Sequence, residues 1–190
     1  VVPYYNKPPQ RGLFAHFSTV AESTALPMLL YNVPSRTVTK LELETIAKLS
    51  SIKNIVGIKD ATGDLDLGAK TIAESRQGFL VSSGDDATCF DLMKLGGRGV
   101  ISVASHIIPN EFGRWAKKAV GKDSSYEAEF KSRLKLIDAL FVEANPIPVK
   151  MALYWMGIIQ SPELRLPLTE LAADNFEKLR DLMKAAGLIK

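Results

Sequence analysis

The 190-residue sequence has a single cysteine, Cys89, so no intrachain disulfide can form. With only His16 and His106 beside it, there is no Cys/His cluster of the kind that binds zinc, and no metal is expected. No run of 18 apolar residues and no basic leader is present, so neither a membrane span nor a signal or transit peptide is read, and a reducing cytoplasm is the expected compartment. The 24 basic and 21 acidic residues leave a net charge of +3 and are interleaved along the chain. Without a basic arm or polybasic cluster, nucleic acid and membrane surfaces are not expected partners. Low-complexity segments and flexible linkers are also lacking. What is present is ordinary for a folded chain, with 46% hydrophobic and 24% charged residues. The chain opens on Val1-Val2-Pro3-Tyr4-Tyr5, apparently in mid-strand and without a methionine, and is expected to be a piece of a longer protein.

Over the first hundred residues a short β-rich run repeatedly ends in polar residues and is followed by an amphipathic stretch. The expected strands are Val1–Tyr5, Met28–Val33, Ile55–Lys59, Phe79–Ser83 and Gly99–Val103. The expected helices between them are Gln10–Ser23, Thr39–Leu49, Leu65–Glu74 and Ala87–Leu95. Strands alternating with helices predict parallel βα units of an α/β fold. No Gly-rich dinucleotide turn follows any strand, so a (β/α)8 TIM barrel is preferred over an open doubly wound sheet. A full barrel of this kind has about 250 residues, so only about the last five βα units are expected here, over residues 1–108.

From about Pro109 the pattern becomes helical, giving a C-terminal helical region over 109–190 that packs on the barrel. Asn110–Val120 reads as one helix, and Ser124-Ser-Tyr-Glu127 as a capping box for a second running to about Val142. Pro146 and Pro148 open a third through Met156, stopped by Gly157. Thr169 is the expected cap of a last helix ending at Gly187.

Within Asn54-Ile-Val-Gly-Ile-Lys-Asp-Ala61, one lysine, Lys59, ends an apolar, β-branched run that reads as a strand buried on both faces. Burial disfavours the ammonium and makes a lysine amine nucleophilic near neutral pH, which suits Schiff-base chemistry on a carbonyl. The alternative is a lysine whose stem crosses the core and whose charge reaches water or pairs with Asp60. In a barrel the reactive groups gather at the carboxyl ends of the strands, here Tyr5-Asn6, Tyr31-Asn32, Lys59-Asp60, Ser83-Gly84-Asp85 and Ser102. Asp85-Asp86 lacks further ligands and reads as loop caps rather than a metal site.

Five motifs occur in order: Pro3-Tyr-Tyr-Asn-Lys-Pro8, Tyr31-Asn-Val-Pro-Ser-Arg-Thr37, Gly57-Ile-Lys-Asp-Ala-Thr-Gly63, Ser83-Gly-Asp-Asp86 and Gly97-Arg-Gly-Val-Ile-Ser102. Together with Phe141-Val-Glu-Ala-Asn-Pro-Ile-Pro-Val-Lys150, they closely resemble the dihydrodipicolinate synthase family of pyruvate-dependent class I aldolases. The resemblance covers essentially the whole chain. It implies a lyase that condenses pyruvate with L-aspartate 4-semialdehyde to 4-hydroxy-tetrahydrodipicolinate in lysine and diaminopimelate biosynthesis. No cofactor is implied beyond a covalent pyruvate imine on Lys59.

By the same resemblance Tyr31 is the proton-relay tyrosine, a role for which a phenol that both donates and accepts is suited. A strand-end tyrosine tethering a loop is the alternative. Arg36 matches the arginine that grips the carboxylate of the aldehyde substrate, for which a planar guanidinium is apt. On its own it would read as a solvated loop charge. Its Pro34-Ser35-Arg36 context favours the synthases over the sialic acid lyases and sugar-acid aldolases of the superfamily. Tyr5 resembles a tyrosine inserted into a neighbouring subunit's site, and Tyr4 its interface partner near an allosteric pocket. An interface or core aromatic is the alternative for both. A homo-oligomer, a dimer of dimers, is therefore expected. Gly84 and Ile101 resemble backbone positions lining the pyruvate pocket. The family's Gly-Thr-Thr-Gly-type loop has no counterpart in these residues. Another pyruvate-dependent aldolase and a non-catalytic barrel stand as the other readings.

Overall fold

The computed structural model describes residues 1–190, which divide into two compact units, Val1–Ile101 and Ser102–Lys190. In the first unit the elements follow the expected alternation. They are α1 (Gln10–Glu22), β1 (Met28–Asn32), α2 (Pro34–Thr37), α3 (Leu43–Ser50), β2 (Ile55–Asp60), α4 (Leu65–Glu74), β3 (Leu80–Ser83) and α5 (Cys89–Lys94). The three strands form a parallel sheet in the order β1-β2-β3.

The register explains the burial. Leu30, Ile58 and Val81 lie side by side and are almost completely buried, with Asn32, Asp60 and Ser83 in the next row on the same face. Helix residues Leu13, Phe17, Ile46 and Leu49 join this core, and each fully buried side chain of this size contributes about 1.5–3 kcal/mol. Side chains alternate along a strand, so Leu29, Gly57 and Leu80, then Tyr31, Lys59 and Ser82, occupy the other face. On that face Leu29 and Leu80 are exposed, and Tyr31, Lys59 and Ser82 are half-buried. Within β2 itself no residue is exposed: on this second face Gly57 is buried and Lys59 half-buried, as expected of a strand covered on both faces. Gly57 is required at its place, because a Cβ there would stand 2.3 Å from the Leu80 carbonyl oxygen and 2.9 Å from Leu29 Cδ2.

Two expected strands are not strands. Val2 donates to the Tyr31 carbonyl at 3.1 Å, but Pro3 has no N–H to extend a ladder, and Tyr5 and Lys7 take positive φ angles of 60° and 45°. At the other edge, Val100 makes a single parallel bridge to Ser83 before the chain leaves the sheet. Five segments thus lie side by side in the expected order, but only three have strand geometry. The one-turn helix α2, with Pro34 at its start, falls between the expected elements Met28–Val33 and Thr39–Leu49.

The second unit opens on a 3-10 turn, Ala104–His106, followed by α6 (Pro109–Val120), α7 (Glu127–Ala139), α8 (Ile147–Trp155) and α9 (Ala173–Ala185). It buries Phe112, Trp115, Phe130, Ile137, Leu179 and Met183. Trp115 packs edge-on to Phe130 at 5.8 Å between ring centres, and its indole N–H donates to Glu129 at 2.9 Å. The expected caps differ. Ser124 gives only a backbone turn to Glu127, because Asp123 takes the Ser125 N–H and the helix starts after Tyr126. The start of α9 is capped from afar, by the Glu143 carboxylate accepting from Ala172 N–H and the Asn175 amide, and not by Thr169. No helix of the chain is long and apolar enough to cross a membrane.

Candidate active site

The carboxyl ends of the three strands set the geometry of the site. Tyr31 on β1, Lys59 on β2 and Ser82 on β3 are direct neighbours in the register and share one face of the sheet. The Lys59 Nζ sits over the Tyr31 ring, 4.3 Å from its centre, a distance at which the π-face attracts a cation. Asp60 points to the helix side, where its carboxylate accepts the Thr62 N–H at 3.0 Å. Strand alternation therefore separates Lys59 from the carboxylate that could have neutralised it. Burial pushes the Asp60 carboxyl above its ordinary range, and the hydrogen bond from Thr62 pulls it partly back.

Gly84 completes the seat of the lysine. Its N–H donates to the Asp60 carbonyl at 2.7 Å, which brings its α-carbon against the Lys59 stem. A Cβ at that position would lie 2.6 Å from Lys59 Cε and 2.8 Å from Ala61 Cβ. The following loop is held by its own groups. Asp85 accepts from the N–H and hydroxyl of Thr88 at 2.9 and 2.6 Å, and Ser83 Oγ accepts the Asp85 N–H at 3.0 Å. Ile101 donates its N–H to the Ser83 carbonyl at 2.9 Å, while its side chain is about half exposed.

Arg36 lies in α2, in the loop that follows β1, with its side chain exposed. The loop is well fixed. Thr37 Oγ1 donates to the carbonyls of Val33 and Thr39. Val38 has φ 61°, and the Thr39 N–H closes on the Thr37 carbonyl at 2.6 Å, a γ-turn of the rarer, strained kind. Tyr5 occupies a similar turn, with φ 60° and the Asn6 N–H donating to the Tyr4 carbonyl at 2.8 Å. Its side chain is 91% exposed and that of Tyr4 64%. A strained backbone that presents an exposed aromatic points to a functional constraint. Lys59, Tyr31 and Gly84 are thus brought together directly, Arg36 and Ile101 flank the same strand ends, and Tyr4 and Tyr5 project from a separate turn.

Sequence reasoning did not find the bonds by which Asn32 and Gln10 hold the segment after the Arg36 loop. Both act on main-chain groups of residues 40–42, and a sequence carries no mark for a side chain that bonds to distant backbone. Cys89 is buried, and desolvation together with Asp86 and Asp85 raises its thiol strongly, which makes it an inert core residue. No three His, Cys, Asp or Glu side chains are grouped as a metal would need. Two grooves of about 700 and 670 Å3 in the second unit contain none of these candidate residues.

Residues 1–186 match the model of the dihydrodipicolinate synthetase family. All 190 residues align at 52% identity with a 4-hydroxy-tetrahydrodipicolinate synthase of Bdellovibrio bacteriovorus, and the chain spans 65% of the length of that relative. The crystal structure of dihydrodipicolinate synthase from Aquifex aeolicus superposes on 98% of this chain and 64% of its own, with a TM-score of 0.95 and 41% identity. A synthase from Acinetobacter baumannii, described as chloride inhibited and complexed with pyruvate, covers 98% of this chain and 64% of its own, with a TM-score of 0.94 and 45% identity. These relatives are TIM-barrel enzymes, and the parallel βα units of the first unit are part of such a barrel. The chain belongs to the dihydrodipicolinate synthetase family.

Proposed function

We propose that this chain carries the Schiff-base site of a 4-hydroxy-tetrahydrodipicolinate synthase, joining pyruvate to L-aspartate 4-semialdehyde. The observation that supports it most is the placement of the Lys59 amine over the Tyr31 ring at 4.3 Å, on a seat that only glycine at position 84 leaves open. In this reading the Lys59 nitrogen adds to the keto carbon of pyruvate, and water leaves as the imine forms. Loss of a proton from the methyl group then gives an enamine, whose carbon attacks the aldehyde of the second substrate. The protonated imine is itself the electron sink, so the step needs no metal or organic cofactor.

Tyr31 borders the reacting nitrogen and serves as the proton relay, a role in which a positioned acid or base contributes about 10²–10⁴-fold. Arg36 holds the carboxylate of the semialdehyde through its forked guanidinium. Gly84 and Ile101 line the pyruvate side. The exposed Tyr5, held in a strained turn, reaches the site of a second copy of the chain, with Tyr4 at that interface, so the active form is a homo-oligomer. The single, buried thiol of Cys89 agrees with a reducing cytoplasm as its compartment.

The test uses the longest natural polypeptide that carries these residues. Borohydride reduction in the presence of pyruvate, followed by peptide mass spectrometry, is expected to give a pyruvate adduct on Lys59. An adduct on another lysine, or none, overturns the assignment. Sedimentation of a fully active monomer would contradict the role given to Tyr5.

A further inference from the structure

Segment 40–42 is gripped from two sides by carboxamides. Asn32, fully buried at the end of β1, donates from Nδ2 to the Leu41 carbonyl at 3.1 Å and accepts the Leu41 N–H on Oδ1 at 3.0 Å. Gln10, the first residue of α1, donates from Nε2 to the Lys40 carbonyl at 2.9 Å and accepts the Glu42 N–H on Oε1 at 3.1 Å. Each amide offers one donor and one acceptor, as the backbone of a neighbouring strand would. Three consecutive residues are thus held by two side chains from different elements.

The location gives these bonds a consequence. Residues 40–42 are the exit of the loop that begins at Val33 and carries Arg36, and its entrance is fixed by the bond from Thr37 Oγ1 to the Val33 carbonyl. Between them lies Val38 with positive φ, a conformation that persists only where the surroundings over-determine it. Gln10 also ends the segment that carries Tyr4 and Tyr5. Pro8 and Pro9, whose rings restrict φ, separate it from Lys7. The Arg36 loop and the Tyr5 turn therefore share one anchor, a side chain 30 and 32 residues away from its two partners.

We propose that Gln10 and Asn32 are positioning residues for capture of the second substrate, holding the exit of the 33–42 loop so that Arg36 meets the carboxylate of the aldehyde. The proposal rests on the reading of Lys59 and Arg36 given above. Lys59 stands on β2, outside this loop, so imine formation is independent of Gln10 while use of the aldehyde depends on it.

Gln10 is half-buried and Asn32 wholly buried, so Gln10 is the residue to replace in the longest natural polypeptide. Gln10→Met keeps the length and loses both bonds. Gln10→Glu keeps the acceptor for the Glu42 N–H and loses the donor to Lys40. With Gln10→Met, KM for the semialdehyde is expected to rise roughly 10-fold, while KM for pyruvate and the rate of borohydride-trapped adduct formation stay within about two-fold. Gln10→Glu should lie between the two. Hydrogen exchange at the Glu42 amide should quicken roughly 10-fold in Gln10→Met, while Leu41, held by Asn32, keeps its protection. An unmoved KM for the semialdehyde, or equal rises for both substrates, overturns the proposal alone. Absence of any Lys59 adduct in the unsubstituted protein overturns the site reading and this proposal with it.

Discussion

Replacing Gly84 by alanine perturbs Lys59, the lysine proposed to form the imine, with a single methyl group. The new Cβ would stand 2.6 Å from Lys59 Cε, 3.0 Å from Lys59 Cγ and 2.8 Å from Ala61 Cβ. Carbon atoms rest at about 3.5–4.0 Å from one another, so the closest contact is short by roughly 1 Å. Ala61 Cβ is fixed to the backbone, whose N–H is bonded to the Asn32 carbonyl at 2.9 Å, whereas the lysine stem can rotate. The contacts with the lysine are relieved by a swing of Lys59 that carries its amine off the Tyr31 ring, whereas the contact with Ala61 is relieved only by a small shift of the backbone at 61 or 84. No left-handed conformation is forced on the new residue, since Gly84 does not have positive φ. The cost in stability is that of mild overpacking, about 1–3 kcal/mol, and the cost in chemistry is that of a group displaced by about 1 Å, which can reach roughly 100-fold. The assay is the time course of borohydride-trapped adduct at saturating pyruvate, followed by intact mass, beside a thermal melt of the same sample. The expected result is folded protein with trapping slowed by roughly 100-fold. A folded variant that traps pyruvate within about three-fold of the parent would refute the reasoning, because it would show that the Lys59 position seen here is not the reactive one.

Tyr31→Phe keeps the ring beneath the amine, and with it a cation–π contribution of about 0.5–1 kcal/mol, so the melting temperature should hold while adduct formation slows by about 10²–10⁴-fold; unchanged trapping would remove Tyr31 from the relay. Burial raises Asp60 above the ordinary value of 3.8, so the folded state holds this proton more tightly than the unfolded one, and stability falls as the pH rises from 3.8 through the folded value. Asp60→Asn removes that ionisation. Thermal melts should therefore show its benefit appearing above about pH 4 and absent below about pH 3, and a benefit independent of pH would contradict the assignment. Arg76 clamps the turn before β2, its guanidinium donating to the carbonyls of Ser50, Lys53 at 3.3 Å and Ile55 at 3.1 Å. Arg76→Met should lose about 2–4 kcal/mol in urea unfolding, with Arg76→Lys recovering less than half because one ammonium cannot span three acceptors; equal stability of the two variants would show that charge, not the fork, matters.

How far a sequence reveals such a site depends on where each residue's partner lies. Lys59 stood out because an ionisable group in an apolar, β-branched run conflicts with its surroundings, and the alternation of β2 then dictates that it and Asp60 face opposite ways. Helix α4 has the expected bounds, Leu65–Glu74, because its signals are local: Asp64 accepts the Leu67 N–H within one turn. Val1–Tyr5 misled because hydrophobic character does not report the dihedral angles of Tyr5 and Lys7, which turn the chain out of the sheet. Thr169 misled because α9 takes its cap from Glu143, a carboxylate outside the local sequence. A pattern of residue types therefore picks out Lys59 and, through the Ser83-Gly-Asp-Asp86 motif, Gly84, while the grip of Gln10 and Asn32 on residues 40–42 becomes visible only when main-chain partners are placed in space.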